Sequence, residues 1–181
     1  METKPEAVPA AVPALNQLAA PVTPHEIEWR VQSQTKDGQK MIVVPYITNR
    51  SVMQRFDDQF GWAGWQNEIK EIDGGFLCTI TAVLPGGQVI KKTDGASRTT
   101  VEPIKGGISD AMKRCAVQFG LGRSLYDFPR VFIQTTDKYI PDWAMPLLDK
   151  MVEKINAGGV VRDVVVLKPE HAKPAPASQT R

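Results

Sequence analysis

From Ile108 to Phe119 the apolar residues Ile108, Ala111, Met112, Cys115, Ala116 and Phe119 recur every three or four positions. That spacing predicts an amphipathic helix with one continuous apolar stripe. Gly106 and Gly107 open the stretch and Gly120 closes it. Asp110, Lys113, Arg114 and Gln118 fall on the opposite face. Neighbouring helix residues project about 100° apart, so Lys113 and Arg114 can both reach one anionic surface while the stripe stays in the core.

The rest of the chain is patterned around this helix. Residues 1–24 carry prolines at 5, 9, 13, 21 and 24 and little periodicity, as expected of a disordered leader. Order is expected from Glu26. Glu28 to Gln32 and Met41 to Val44 read as two strands joined by a turn at Lys36-Asp37-Gly38, with Pro45 marking an edge or the end of pairing. Thr48-Asn49 offers an N-cap, and Val52, Met53, Phe56 and Phe60 then give a helical stripe that Gly61 ends. Trp65–Ile72, Phe76–Leu84 and Gln88–Lys92 alternate as the strands of a β-meander, turned at Asp73-Gly74-Gly75 and Pro85-Gly86-Gly87. A looser stretch through Asp94-Gly95 leads to the helix.

Beyond Gly122 a short helical turn is expected at Arg123 to Asp127, then loop from Asp137 to Pro141. A further amphipathic helix carries Leu147, Leu148, Met151, Val152 and Ile155 behind Pro146. Val160 to Leu167 reads as a strand. The fold class is therefore α+β in the order β-β-α-β-β-β-α, with both helices expected on one face of the meander. Residues 25–135 are expected to form the functional core, 136–167 a C-terminal helical extension, and 168–181 a disordered tail.

Composition narrows the function. The 181 residues carry a net charge of only +2, so a polyanion partner would have to be met by local clustering. Between Gln88 and Arg123 seven cations (Lys91, Lys92, Arg98, Lys105, Lys113, Arg114, Arg123) face three acids, Asp94, Glu102 and Asp110. The two histidines, His25 and His171, lie in the flanks, which leaves the core without histidine-based catalysis or metal binding. There is no P-loop signature for a nucleotide. Cys78 and Cys115 are expected as buried reduced thiols, and the absence of a membrane-length apolar run or basic signal sequence points to the cytoplasm.

Each candidate has a plainer reading beside it. Asp57 and Asp58 suit a solvated helix face better than a metal site. Gly106-Gly107 can bare backbone N–H groups at a helix start or allow close packing. Lys113-Arg114 can grip phosphates or stay solvated with an Asp110–Arg114 pair. Among the aromatics, Trp62 and Trp65 are expected in the core, and Tyr46 as a more exposed ring able to stack on a base.

Three blocks, in order, resemble the Rad52/Rad22 superfamily of single-strand annealing proteins in its bacterial DdrA and phage Sak-like branch. They are IEWRV from Ile27, the Tyr46 to Trp65 block ending FGWAGW, and SDAMKRCAVQFGLGRSLYDFP from Ser109 to Pro129. The resemblance implies an oligomeric ring that holds single-stranded DNA by its backbone in a basic groove and leaves the bases open for pairing. It carries the family's groove Lys-Arg pair onto Lys113 and Arg114, a tyrosine at the head of the first helix onto Tyr46, and a first-strand arginine onto Arg30. The family's third basic residue, one turn on, is Val117 here, with Arg123 or Arg98 as candidate replacements. Lys91, Lys92 and Lys105 are candidates for a second, outer DNA contact on charge placement.

The function expected is ATP-independent single-strand DNA binding and annealing in recombination and double-strand break repair, with no cofactor, no catalytic residue and a nucleoid location. The alternatives are a passive protector of single strands or 3′ ends, a metal-dependent nuclease using Asp57 and Asp58, and a scaffold whose basic face meets an acidic protein. The tail beyond Lys168 suits recruitment of a single-strand-binding protein or a plain solvated end equally.

Overall fold

A computed structural model describes residues 15–172. In chain order the elements are α1 (Leu15–Leu18), β1 (Ile27–Gln34), β2 (Lys40–Ile47), α2 (Asn49–Phe60), β3 (Trp65–Ile72), β4 (Gly75–Val83), β5 (Val89–Ser97), α3 (Pro103–Gln118), β6 (Arg130–Gln134), α4 (Met145–Asn156) and β7 (Val164–Leu167). They form two compact units interleaved along the chain. One holds the described residues up to Ala20 with Asn49–Leu121, the other Pro21–Thr48 with the described residues from Gly122 onward. Among the described residues no helix is long and apolar enough to cross a membrane.

In the first unit β3, β4 and β5 form the expected antiparallel meander. Side chains alternate across β4, so Phe76, Cys78, Ile80 and Ala82 are buried on one face while Leu77, Thr79 and Thr81 lie on the other. α3 covers the apolar face with Ala111, Met112, Cys115 and Ala116, and Phe119 follows, buried, at its C-cap. Cys78 and Cys115 are buried and free of disulfides, and their mutual hydrogen bond together with burial pushes the Cys78 thiol up. α2 adds Phe56, fully buried against the rings of Trp65, Phe119 and Phe60 at centroid distances of 5.0, 5.3 and 5.8 Å.

The second unit is a mixed sheet in the order β1-β2-β6-β7. β6 and β7 are parallel and α4 supplies the crossover that such a pair requires. Its core gathers Met41 and Val43 from β2, Val131 and Ile133 from β6, Leu148 and Met151 from α4, and Leu167 from β7. The first hairpin therefore shares its sheet with the C-terminal segment.

Several boundaries differ from the sequence reading. β2 runs through Pro45, which lies opposite Trp29 but beyond the stretch paired with β6, so β2 has one neighbour there and the proline breaks no ladder bond on the other side. β5 extends to Ser97, because each residue of β4 from Gly75 to Val83 takes a partner on it. β6 has no counterpart among the expected elements. Part of the leader is ordered: Leu18 and Val22 are fully buried. Arg55 Nη1 donates to the Gln17 and Ala20 carbonyls at 3.1 and 3.3 Å, and Asn156 Nδ2 donates to the Val22 carbonyl at 2.8 Å. The rest of the leader, and the tail from residue 173, lie outside the described residues.

The largest correction concerns α3, which starts at Pro103 rather than after the glycines. Proline at the first helical position forfeits no intrahelical bond and fixes the right φ. Gly106 and Gly107 thus sit inside the first turns, where they allow close packing. A Cβ on Gly106 would lie 2.0 Å from Thr99 Oγ1, and one on Gly107 2.7 Å from the Phe76 ring and 3.2 Å from the Ser97 carbonyl oxygen. Gly107→Ala tests this reason. Alanine gains about 1 kcal/mol of helix propensity, but overpacking against the ring costs about 1–3 kcal/mol. Urea denaturation should show a lowered midpoint, and a raised one would mean that space is not why glycine is there.

Candidate nucleic-acid interface

The cations expected on α3 are held where the packing of its inner face puts them. Lys113 is 22% exposed at the side chain, and its Nζ lies 2.7 Å from Asp110 Oδ1, one turn back. Arg114 is 55% exposed and its Nε donates to Asp94 Oδ1 of β5 at 3.2 Å. The Asp110–Arg114 pair expected from spacing is thus replaced by an Asp110–Lys113 pair and a cross-element Asp94–Arg114 pair.

Asp94 is the centre of the arrangement. Its Oδ1 also accepts from the Gly95 amide at 2.7 Å and its Oδ2 from Gln118 Nε2 at 3.2 Å, while Gln118 Nε2 reaches the Thr93 carbonyl at 2.8 Å. Burial alone pushes the Asp94 carboxyl up, but the Gly95 amide, the Gln118 amide and the Arg114 guanidinium outweigh it and hold the carboxyl below its ordinary value. Two positions earlier on the same face of β5, Lys92 Nζ lies 5.7 Å from the Phe119 ring centroid, and its carbonyl accepts from Cys115 Sγ at 3.2 Å. Lys92 and Arg114 therefore share the α3–β5 seam.

The other candidates are dispersed. Lys91 is exposed and, one residue from Lys92 on a strand, points to the opposite face of the sheet. The two lysines start on opposite faces of the meander. Arg98 bonds the Glu71 carboxylate and lies 4.8 Å from the Phe76 ring centroid. Lys105 pairs with Glu102 at 3.1 Å. Glu102 itself adopts φ +51° just before α3.

Arg30, Tyr46 and Arg123 belong to the second unit. Arg30 is exposed on β1, two residues from Glu28 and so on its face. Tyr46 lies opposite Glu28 in the β1–β2 ladder and its hydroxyl donates to the Glu28 carboxylate. Arg123 is exposed at the start of the short 3-10 turn Arg123–Asp127, which matches the helical turn expected there.

The aromatic expectation fails at Trp62 and at Tyr46, the ring expected to be the more exposed, which is half-buried. Trp65 is partly buried, with its Nε1 donating to Asp57 Oδ1 at 2.7 Å. Trp62 is 86% exposed, outside the core expected to hold it. It falls in the turn between α2 and β3, where neither the helical stripe nor strand alternation includes it. Asp57 is bound to an indole and Asp58 accepts from Gln54 Nε2 at 2.8 Å, so the paired aspartates have structural partners. Among the described residues no three potential ligands from His, Cys, Asp and Glu converge on a metal position. Sequence reasoning misses Asp94 and Gln118 as parts of the site. The signal is the period-2 run Ile90, Lys92, Asp94, which continues the strand past Lys92.

This architecture is that of an α+β protein carrying a helix with a paired-cation edge beside a meander. The family model for the Rad52/22 family double-strand break repair protein matches residues 13–144. The chain belongs to that family. Its relatives include the single-stranded DNA-binding protein DdrA of Deinococcus deserti, 33% identical over 139 residues that cover 72% of this chain and 69% of the relative. The single-stranded DNA-binding protein DdrA of Deinococcus radiodurans is 30% identical over 139 residues, covering 72% of this chain and 66% of the relative.

Tyr46 offers a spectroscopic check of the hairpin geometry. Burial, the hydrogen bond to Glu28 and the Glu28 charge raise its phenol from 10.0 to about 12, with Arg30 opposing. An ultraviolet phenolate titration should show one tyrosine ionising near 12, and Tyr46→Phe should remove that step. The unfolded chain gives up this proton first, so the Tyr46 contribution to stability should fall as pH rises from about 10 towards 12.

Proposed function

We propose that this protein binds single-stranded DNA and anneals complementary strands without nucleotide, in recombination and double-strand break repair, as an oligomeric ring or helical assembly. The observation that carries the reading is Arg114: an exposed guanidinium beside Lys113, on the α3 segment that lies within the family match. The single-strand binding named for the DdrA relatives supports it. Lys113 and Arg114 grip the sugar-phosphate backbone and Lys92 extends the grip along the seam. Tyr46, Arg30 and Arg123 are the second unit's own candidates for the strand. Residues 25–135 are the binding core on this reading.

The chemistry needs no bond made or broken. Cations reduce the repulsion between two phosphate backbones, bases held outward find their complements, and pairing supplies the driving force. The acids already bound to Lys113 and Arg114 do not prevent this. Each pair keeps one partner about half exposed to water, and a solvent-screened pair of this kind contributes only about 0–1 kcal/mol, so an arriving phosphate can take the cation over.

Two complementary labelled oligonucleotides test the proposal. The protein should speed their pairing in the absence of ATP; slowed pairing would mark it as a protector, and DNA cut in Mg²⁺ or Mn²⁺ would mark it as a nuclease. Lys113→Ala with Arg114→Ala should weaken single-strand binding and flatten the log–log salt dependence by about 0.7 for each phosphate no longer neutralised. Unchanged binding and annealing in the double variant would remove α3 from the interface.

A further inference from the structure

We infer that Asp94 is a positioning residue for the DNA contact, fixing the Arg114 guanidinium so that its two terminal nitrogens face the phosphate. The inference rests on the reading that Arg114 meets DNA. Asp94 is 24% exposed, and both its oxygens are occupied. The Gly95 amide and Gln118 hold the carboxylate, and Gln118 is itself anchored on the Thr93 carbonyl. This cradle takes Arg114 by Nε alone. Among the described residues the terminal nitrogens make no bond or ion pair, so the outer edge of the fork is left for a ligand. A guanidinium held at Nε keeps its plane fixed, and the two-pronged edge remains matched to a phosphate or another planar oxyanion.

An acid beside a DNA-binding cation is at first sight unfavourable, and that makes the inference decidable. Acting through charge alone, Asp94 would repel phosphate, and its removal would tighten binding. Acting by orientation, it lowers the ordering cost of Arg114, and its removal loosens binding. The two roles predict opposite signs. The depressed carboxyl keeps the cradle charged across the physiological range.

Binding of a fluorescent oligothymidylate to the full chain, titrated over a range of salt, separates them. Asp94→Ala should bind several-fold more weakly and lower the log–log salt slope by about 0.7, the same change expected for Arg114→Ala. The two changes together should cost no more than Arg114→Ala alone. Asp94→Asn, which keeps the shape and an acceptor for Gly95, should weaken binding to a smaller degree and serves if the alanine variant does not fold. In an Arg114→Lys background, where no Nε exists to be held, Asp94→Asn should no longer weaken binding. Tighter binding with an unchanged slope in the Asp94 variants overturns the positioning role while leaving Arg114 in the interface. An Arg114→Ala protein that binds like the parent overturns the reading beneath it.

Discussion

A three-stranded antiparallel sheet with one apolar face must cover that face, and in the first unit α3 is the cover. Phe76, Cys78, Ile80 and Ala82 lie beneath it, and Cys115 and Phe119 come down from it. The large ones among them, Phe76, Ile80 and Phe119, contribute about 1.5–3 kcal/mol each, so rolling the helix would forfeit several times the worth of a surface ion pair. Gly106 and Gly107 let the first turns approach Thr99 and Phe76, and Phe56 closes the other end against Phe119. The outward residues of α3 therefore have no freedom of their own. Lys113 and Arg114 sit where the core puts them.

The same constraint explains how a chain of net charge +2 can present a basic edge. The cations are not massed; they are paired with acids across short distances, Asp110 with Lys113 and Asp94 with Arg114. Pairing keeps the free protein from self-repulsion and non-specific adhesion. It also sets the direction in which each cation points. On an isolated helix Arg114 would sample many rotamers; here Asp94 of the neighbouring strand supplies the reference.

Legibility in the sequence follows from how local each signal is. The α2 stripe and its Gly61 terminator, and the β3 register with its Asp73-Gly74 turn, rest on contiguous residues, and both elements appear where the periodicity puts them. The start of α3 is misread because Gly-Gly weighs against helix in isolation; the reason for it, contact with Thr99 and Phe76, lies in other elements. Residue type alone sends Trp62 to the core, yet it belongs to neither flanking pattern. Val22 and Leu18 give no periodic signal in so short a stretch, and the partners that hold the segment are as remote as Asn156. At the site, Lys113 and Arg114 are visible from helical spacing alone, whereas the Asp94 partner is not, since Asp94 reaches Arg114 only through the fold.

On the proposed reading these acid partners also bear on release. A strand-annealing protein must hold a single strand firmly enough to keep its bases outward and must then give up the product. A cation with no intramolecular partner would have to be rehydrated when the phosphate leaves. Arg114 and Lys113 instead return to Asp94 and Asp110, which remain beside them. The exchange of phosphate for carboxylate is then nearly balanced at each cation, and the direction of the whole process is left to base pairing. Val117 stands where the family's pattern has a third basic residue. It removes one cation from this face of α3, and the orientation of Arg114 by Asp94 matters correspondingly more to what grip is left.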